Sequence, residues 1–257
     1  MYHHRLIVSY KGSNYFGWQD LGINEKKPTI EGTLQQVLKK ICKYQPSVIS
    51  SASRTDAGVH AQGQVLKVSI PLEICSEKLL LGMNSLLPDD IRVLQCQPCT
   101  IDFNPNEDSK SKEYHYHFCI DKIHNPLLNG TVAHIPSTPI VTLDIPLMQE
   151  ACKLFIGEHD FYSFAKRDTT MPSTFRTILS CELVQTSSIF NAEIYIIKIV
   201  GTGFLRYMVR YVSGALFALG RNEISLNDIR EALVNRNNEK LSARAKSRGL
   251  HLIEVFY

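Results

Sequence analysis

The sequence predicts an α+β fold of two similar halves, each a mostly antiparallel sheet with helices packed on it. Three observations predict it. Short alternating runs such as RLIVSY (residues 5–10) and YHYHFCI (residues 114–120) read as half-buried strands. Between such runs lie segments with apolar residues at helical spacing. The order of these segments in residues 1–105 is roughly repeated in residues 106–257, without repetition of sequence.

Taken in order, Arg5 to Tyr10 form a strand ended by the Gly12 turn. From Thr29 onward, Ile30, Leu34, Val37, Leu38 and Ile41 share one helix face. SVISSAS (47–53) and Val65 to Ile70 read as strands flanking a charged loop. Glu77 to Leu87 reads as a helix stopped at Pro88, and DIRVLQC (90–96) as a strand. The polar, proline-containing stretch Phe103 to Lys112 marks the boundary between a first half at 1–105 and a second at 106–257. In the second half Tyr114, Tyr116 and Phe118 alternate with His115, His117 and Cys119. A helix through Leu147, Ala151, Leu154 and Phe155 stops at Gly157. TFRTILSCELV (174–184) and IYIIKIV (194–200) look like a strand pair. Phe204 to Leu219 reads as a long apolar helix closed by Gly220, Ser225 caps a shorter one, and GLHLIEVFY (249–257) is a terminal strand.

Composition bounds the function. The 257 residues are 44% hydrophobic and 21% charged with net charge +3, which permits contact with an anionic polymer without demonstrating it. No run reaches the length of a membrane span, and the N-terminus has too short an apolar run for a signal peptide, so a cytoplasmic protein is expected. The seven cysteines show no disulfide framework. Cys96 and Cys99 form the one CxxC, without a second ligand pair nearby, so free buried thiols and no metal are expected.

Five stretches could carry chemistry, one being the strand face shared by Tyr114 and Tyr116, which either stacks a base or is the apolar side of a half-buried strand. SASRTDAGVHAQGQV (51–65) places Arg54 and Asp56 two apart beside a strand, then Ala57-Gly58. YKGSNYFGWQ (10–19) offers glycines for close approach and Tyr15, Phe16 and Trp18 either as faces for unstacked bases or as core plugs. GTGFLRYMVRYVSG (201–214) opens with Gly-x-Gly at an expected helix start, a position that favours phosphate. It lacks the spacing of a nucleotide-cofactor loop. Arg206 and Arg210 then lie at i and i+4 on one side of a mostly buried helix, and Arg210 is expected to pair with Asp56. Finally Arg236, Lys240, Arg244, Lys246 and Arg248, opposed by Glu239, form either a solvated face or a phosphate-tracking rim.

Together these stretches resemble the TruA-type tRNA pseudouridine synthases over nearly the whole chain. SRTDAGVHAQGQV is similar to that family's Gly-Arg-Thr-Asp-Ala-Gly-Val-His signature, and YKGSNYFGWQ to its opening motif. LLPDDI (86–91), GEHDFYSF (157–164), FRTI (175–178), GFLRYMVR (203–210) and the terminal strand follow in the family's order. The resemblance implies two RRM/ferredoxin-like halves around a central catalytic cleft. It implies an isomerase that converts uridine to pseudouridine at positions 38, 39 and 40 of the tRNA anticodon stem-loop, without cofactor or metal, and a homodimer. The family's essential aspartate falls on Asp56, its active-site tyrosine on Tyr114 and its helix arginine on Arg210. Arg54 matches the arginine associated with the extruded base's place in the stack, and Arg206 joins Arg54 and Tyr114 as an expected substrate contact.

Three departures stand out: Lys11 where the family has aspartate, Ser53 where it has glycine, and FNPNE (103–107) in place of a Phe-His-Ala-Arg-Phe-like stretch. They leave Asp56, Tyr114 and Arg210 intact but bear on which uridines and tRNAs are used. Two alternatives stay open: a tRNA-binding or folding protein with weak or lost turnover, and a synthase acting on another RNA site.

Overall fold

Alternation of apolar and polar residues shapes the strands of this chain, and helices bury apolar residues against them. The computed structural model describes residues 1–19, 28–136, 142–166, 173–186, 190, 192–236 and 240–257. The chain divides into two compact units, Met1–Lys110 with His251–Tyr257, and Ser111–Leu250. The terminal residues His251–Tyr257, expected in the second half, therefore belong to the first unit.

In the first unit, β1 (Tyr2–Tyr10) buries His4, Leu6, Val8 and Tyr10 on one face, the period of two that its sequence predicts. It pairs antiparallel with β3 (His60–Ile70), Leu6 opposite Leu66, and with β4 (Ile91–Pro98), Leu6 opposite Cys96. The short β2 (Val48–Ser51) pairs antiparallel with the far end of β3. The terminal β10 (Leu250–Phe256) pairs with β3 in parallel, His251 opposite His60, an exception to the antiparallel expectation. Helix α1 (Ile30–Ile41) starts where the Thr29 hydroxyl accepts from the Gly32 N–H at 3.1 Å, and buries Ile30, Leu34, Val37 and Leu38. Helix α2 (Ser76–Leu86) buries Leu79 and Met83 and stops short of Pro88, as expected.

In the second unit, β5 (Ser111–Cys119), β9 (Ile194–Gly201), β8 (Phe175–Gln185) and β7 (Gly157–Asp160) lie side by side, all antiparallel. A two-residue β6 (Ala133–His134) adds to β5 in parallel. Helix α3 (Ile145–Cys152) runs on into a 3-10 turn through Phe155. Helix α5 (Leu226–Val234) begins with the expected capping box, Ser225 and Asp228 satisfying each other's backbone N–H.

Helix α4 departs from expectation. It spans Met208–Gly220 and buries every residue but Tyr211. Its start is four residues later than the apolar pattern predicts, because Tyr207 adopts a left-handed conformation at φ +68°. The Gly201-x-Gly203 pair thus lies at the end of β9 and not at a helix start, and the phosphate reading based on that position falls. Arg206 precedes the helix, so it and Arg210 do not share a helix face.

Of the cysteines, Cys42, Cys119, Cys152 and Cys181 are buried, Cys96 and Cys99 are partly exposed and Cys75 is exposed; all are free. Among the described residues no cluster of three His, Cys, Asp or Glu has a geometry that could hold a metal ion, and no helix is long and apolar enough to cross a membrane.

Candidate active site

The segment that carries Arg54 and Asp56 is the connection from β2 to β3. Its departure from the sheet is fixed by two hydrogen bonds. The Ala52 N–H donates to the Val65 carbonyl at 2.9 Å, and the fully buried Gln64 donates its side-chain amide to the Ser53 carbonyl at 2.5 Å. Burial then alternates: Thr55 is buried, while Arg54 is exposed and Asp56 half-buried. The charges therefore stand away from the core on either side of an anchored threonine.

Thr55 is held from two directions. Its hydroxyl shares a 2.8 Å hydrogen bond with the Tyr10 phenol, and its carbonyl accepts from the Trp18 N–H at 2.9 Å. Beyond Asp56, the Val59 N–H donates to the Asp56 carbonyl at 3.1 Å, closing a turn whose third residue, Gly58, has φ +78°. Gly17 seats the opening loop against this turn. It has φ +94°, and a Cβ there would stand 2.9 Å from the Thr55 oxygen, 3.0 Å from the Ala57 nitrogen and 3.1 Å from the Asp56 carbonyl carbon. Only glycine lets the two backbones approach so closely.

The opening segment is thus a support for the Asp56 turn. Tyr15 and Trp18 are buried, and of the three aromatics only Phe16 is exposed. The reading of Tyr15 and Trp18 as stacking faces gives way to the core-plug reading. Tyr15 donates to Asp90 at 2.5 Å; burial, together with that carboxylate, pushes its phenol well above the usual range. Asp90, from the LLPDDI stretch, also accepts from the Asn14 amide at 3.3 Å, and its carbonyl accepts from the Lys11 N–H at 2.9 Å. His60 follows the turn; its Nδ1 accepts from the Gly12 N–H at 3.2 Å, the pattern of a neutral imidazole, and its ring stacks on His251 at 4.6 Å.

In the second unit, Lys112, Tyr114, Tyr116 and Phe118 share the buried face of β5, the alternation the sequence predicts. Tyr116 is core: it is fully buried and its phenol donates to the Lys246 carbonyl at 2.8 Å. Tyr114 lies closer to the strand's end, 6% exposed, with Phe204 edge-on at 5.0 Å and 76°. Lys112, read from sequence as part of the polar boundary, is buried, and burial pushes its ammonium down to about 8. Its position two residues before Tyr114 is the signal that could have found it.

Arg210 is 7% exposed and exchanges hydrogen bonds with Ala245, its Nε donating to the Ala245 carbonyl at 2.8 Å and its carbonyl accepting from the Ala245 N–H at 3.0 Å. Arg206 is exposed, its guanidinium 4.9 Å from the Tyr207 ring centroid.

The basic C-terminal segment is neither a uniform solvated face nor a continuous rim. Arg236 pairs with Asp160 at 2.7 Å. Lys240 donates to the carbonyls of Tyr162, Ser163 and Ala165, and Arg248 to Asn129 at 3.3 Å. Arg244 and Lys246 are exposed, and Glu239 lies outside the described residues.

Comparison with known proteins extends these observations. A family model described as tRNA pseudouridine synthase matches residues 151–257. A protein of Desulfotalea psychrophila named tRNA pseudouridine synthase A 2 is 46% identical over 259 residues, spanning 99% of this chain and 98% of its own. Proteins named tRNA pseudouridine synthase A from Listeria innocua and Thermodesulfovibrio yellowstonii are each 34% identical, over 100% of both chains in the first case and 98% of both in the second. With identity at this level over essentially its whole length, the chain belongs to the tRNA pseudouridine synthase family.

Proposed function

We propose that this isomerase converts uridine to pseudouridine at positions 38, 39 and 40 of the tRNA anticodon stem-loop, with Asp56 as the catalytic carboxylate. The observation that carries the assignment of Asp56 is its mounting. An otherwise small-residue turn is pinned at Thr55 from two sides and at Gly17 by backbone contact, and the charged side chain is left half-exposed. Rigid support of a reacting group is what positional catalysis demands.

The reaction breaks the bond from C1′ to N1 of uracil, forms one from C1′ to C5, releases the C5 proton to solvent and takes up a solvent proton at N1. It requires extrusion of the nucleotide from its stack. A carboxylate can add to C1′, or take a proton from the sugar as the base departs; either leaves the same product. In this reading Arg210 serves as the arginine of the site. Tyr114 holds the freed uracil while it turns, exposed Arg54 fills the place of the extruded base, and Arg206 contacts the RNA. The isomerisation is redox-neutral, and the proposal assigns it no cofactor and no metal. The same reading extends to a cytoplasmic homodimer, which sedimentation of the purified chain checks.

Mapping of pseudouridine in tRNA before and after incubation with the chain tests the target sites. The proposal expects new modification at 38, 39 or 40 alone. Modification confined to another position, or to another RNA, overturns the site assignment while leaving the isomerase chemistry in place.

A further inference from the structure

We propose that Arg206 and Arg244, both stacked on Tyr207, form a binding site for a backbone phosphate of the RNA substrate. Three guanidiniums converge on that one ring, with Arg244 at 3.9 Å, Arg206 at 4.9 Å and Arg210 at 5.5 Å from its centroid. Each cation–π contact is attractive, while the cations repel one another. A cluster of this kind ordinarily contains a carboxylate. Among the described residues none pairs with Arg206 or Arg244. The following helix supplies no relief, having no acid in its first turn and no side-chain cap.

The three arginines are not equivalent. Arg210 is buried and bound to Ala245, whereas Arg206 and Arg244 are exposed. The rest of the basic C-terminal segment does not compete for the role, since Arg236, Lys240 and Arg248 are engaged by protein acceptors. Tyr207 itself holds a left-handed conformation at φ +68° that is unfavourable for a non-glycine residue. The ring is thus kept in a strained position, and what it gathers there is two solvent-facing planar forks that no carboxylate among the described residues pairs. A phosphodiester supplies the missing charge and matches the fork geometry. The inference rests on the tRNA reading of the chain and adds to it the group that is bound.

The test is the affinity for tRNA as a function of salt, measured for the wild type, Arg206→Gln, Arg244→Gln and the double variant. Removing one phosphate-binding guanidinium is expected to weaken binding about fivefold to tenfold at low salt and to reduce the slope of log K against log salt by about 1. The KM for tRNA rises in parallel while kcat falls no more than about twofold. Melting temperatures stay level or rise, because repulsion is relieved, which a purely structural role for these arginines does not produce. Affinities within about twofold of the wild type with unchanged salt slopes overturn the proposal. Should the glutamine variants not fold, Arg244→Lys reads the same site: weaker binding with the slope retained supports it, and unchanged binding overturns it. Wild-type protein that binds tRNA with this arginine dependence but forms no pseudouridine contradicts the proposed function and leaves the phosphate site standing. Pseudouridine formed with variant affinities unaltered does the reverse.

Discussion

Trp18 donates its backbone N–H to the carbonyl of Thr55 at 2.9 Å, one residue before Asp56. This bond ties the opening loop to the turn that carries Asp56, the carboxylate proposed to be catalytic, and Gly17 is the residue that allows it. A Cβ at position 17 would collide with the backbone from Thr55 to Ala57 in a conformation already unfavourable for a side chain. Gly17→Ala is expected to destabilise the protein by about 2 kcal/mol or more, lowering Tm by roughly 4–8 °C. It is also expected to reduce kcat at saturating tRNA about tenfold or more. A folded Gly17→Ala protein with undiminished kcat contradicts the support role.

The Tyr10 and Thr55 hydroxyls, 2.8 Å apart and buried, are expected to be energetically coupled. Removing either hydroxyl takes this bond from the other, whereas removing both takes away donor and acceptor together. A double-mutant cycle of Tyr10→Phe and Thr55→Val should return a coupling of about 1 kcal/mol by urea denaturation. Strict additivity shows that the bond does not hold the turn.

Lys112 makes stability depend on pH. Burial lowers its ammonium from 10.5 to about 8, so between these values the unfolded chain binds the additional proton. Stability therefore rises with pH across that window and lacks this contribution below about pH 8, the change being of the order of 2–3 kcal/mol. Urea unfolding at about pH 7.5 and about pH 10 should show this rise in the wild type and a correspondingly smaller one in Lys112→Met. Equal pH dependence of the two proteins removes Lys112 as the source.

Asp160 also makes stability rise with pH, but in the acid range. Burial raises its carboxyl, but hydrogen bonds from Thr174, Arg236 and the Tyr162 N–H, with the Arg236 charge, outweigh burial and hold it below the ordinary 3.8. Its contribution is present above that value and is lost as pH falls through the lower folded-state value. Asp160→Asn is expected to lower Tm at neutral pH and to flatten the acid limb of the stability profile. An unchanged acid limb in the variant assigns that limb to other carboxylates.

The elements whose signals are local were legible in the sequence. Ser225 caps its helix as expected, the apolar face from Ile30 to Leu38 is buried, and the β1 and β5 faces follow the period of two. The start of α4 was not, because the apolar spacing of Phe204 and Leu205 continues through a Tyr207 whose left-handed backbone leaves no mark in composition. Nor was the pairing of β10 with β3, which joins residues nearly two hundred positions apart. The site divides the same way. Asp56, Tyr114 and Arg210 were singled out by motif, but the role of YKGSNYFGWQ as a support rests on the Trp18–Thr55 and Gly17–Asp56 approaches, which exist only once the chain has folded. The basic segment likewise resolved only when Asp160, 76 residues away, was seen to take Arg236.

Release of tritium from tRNA labelled at uridine C5, by wild type and by Asp56→Asn, tests the central claim most directly. The account predicts release by the wild type, and tRNA binding without release by the variant. Release by Asp56→Asn at the wild-type rate, or binding without release by both proteins, contradicts it.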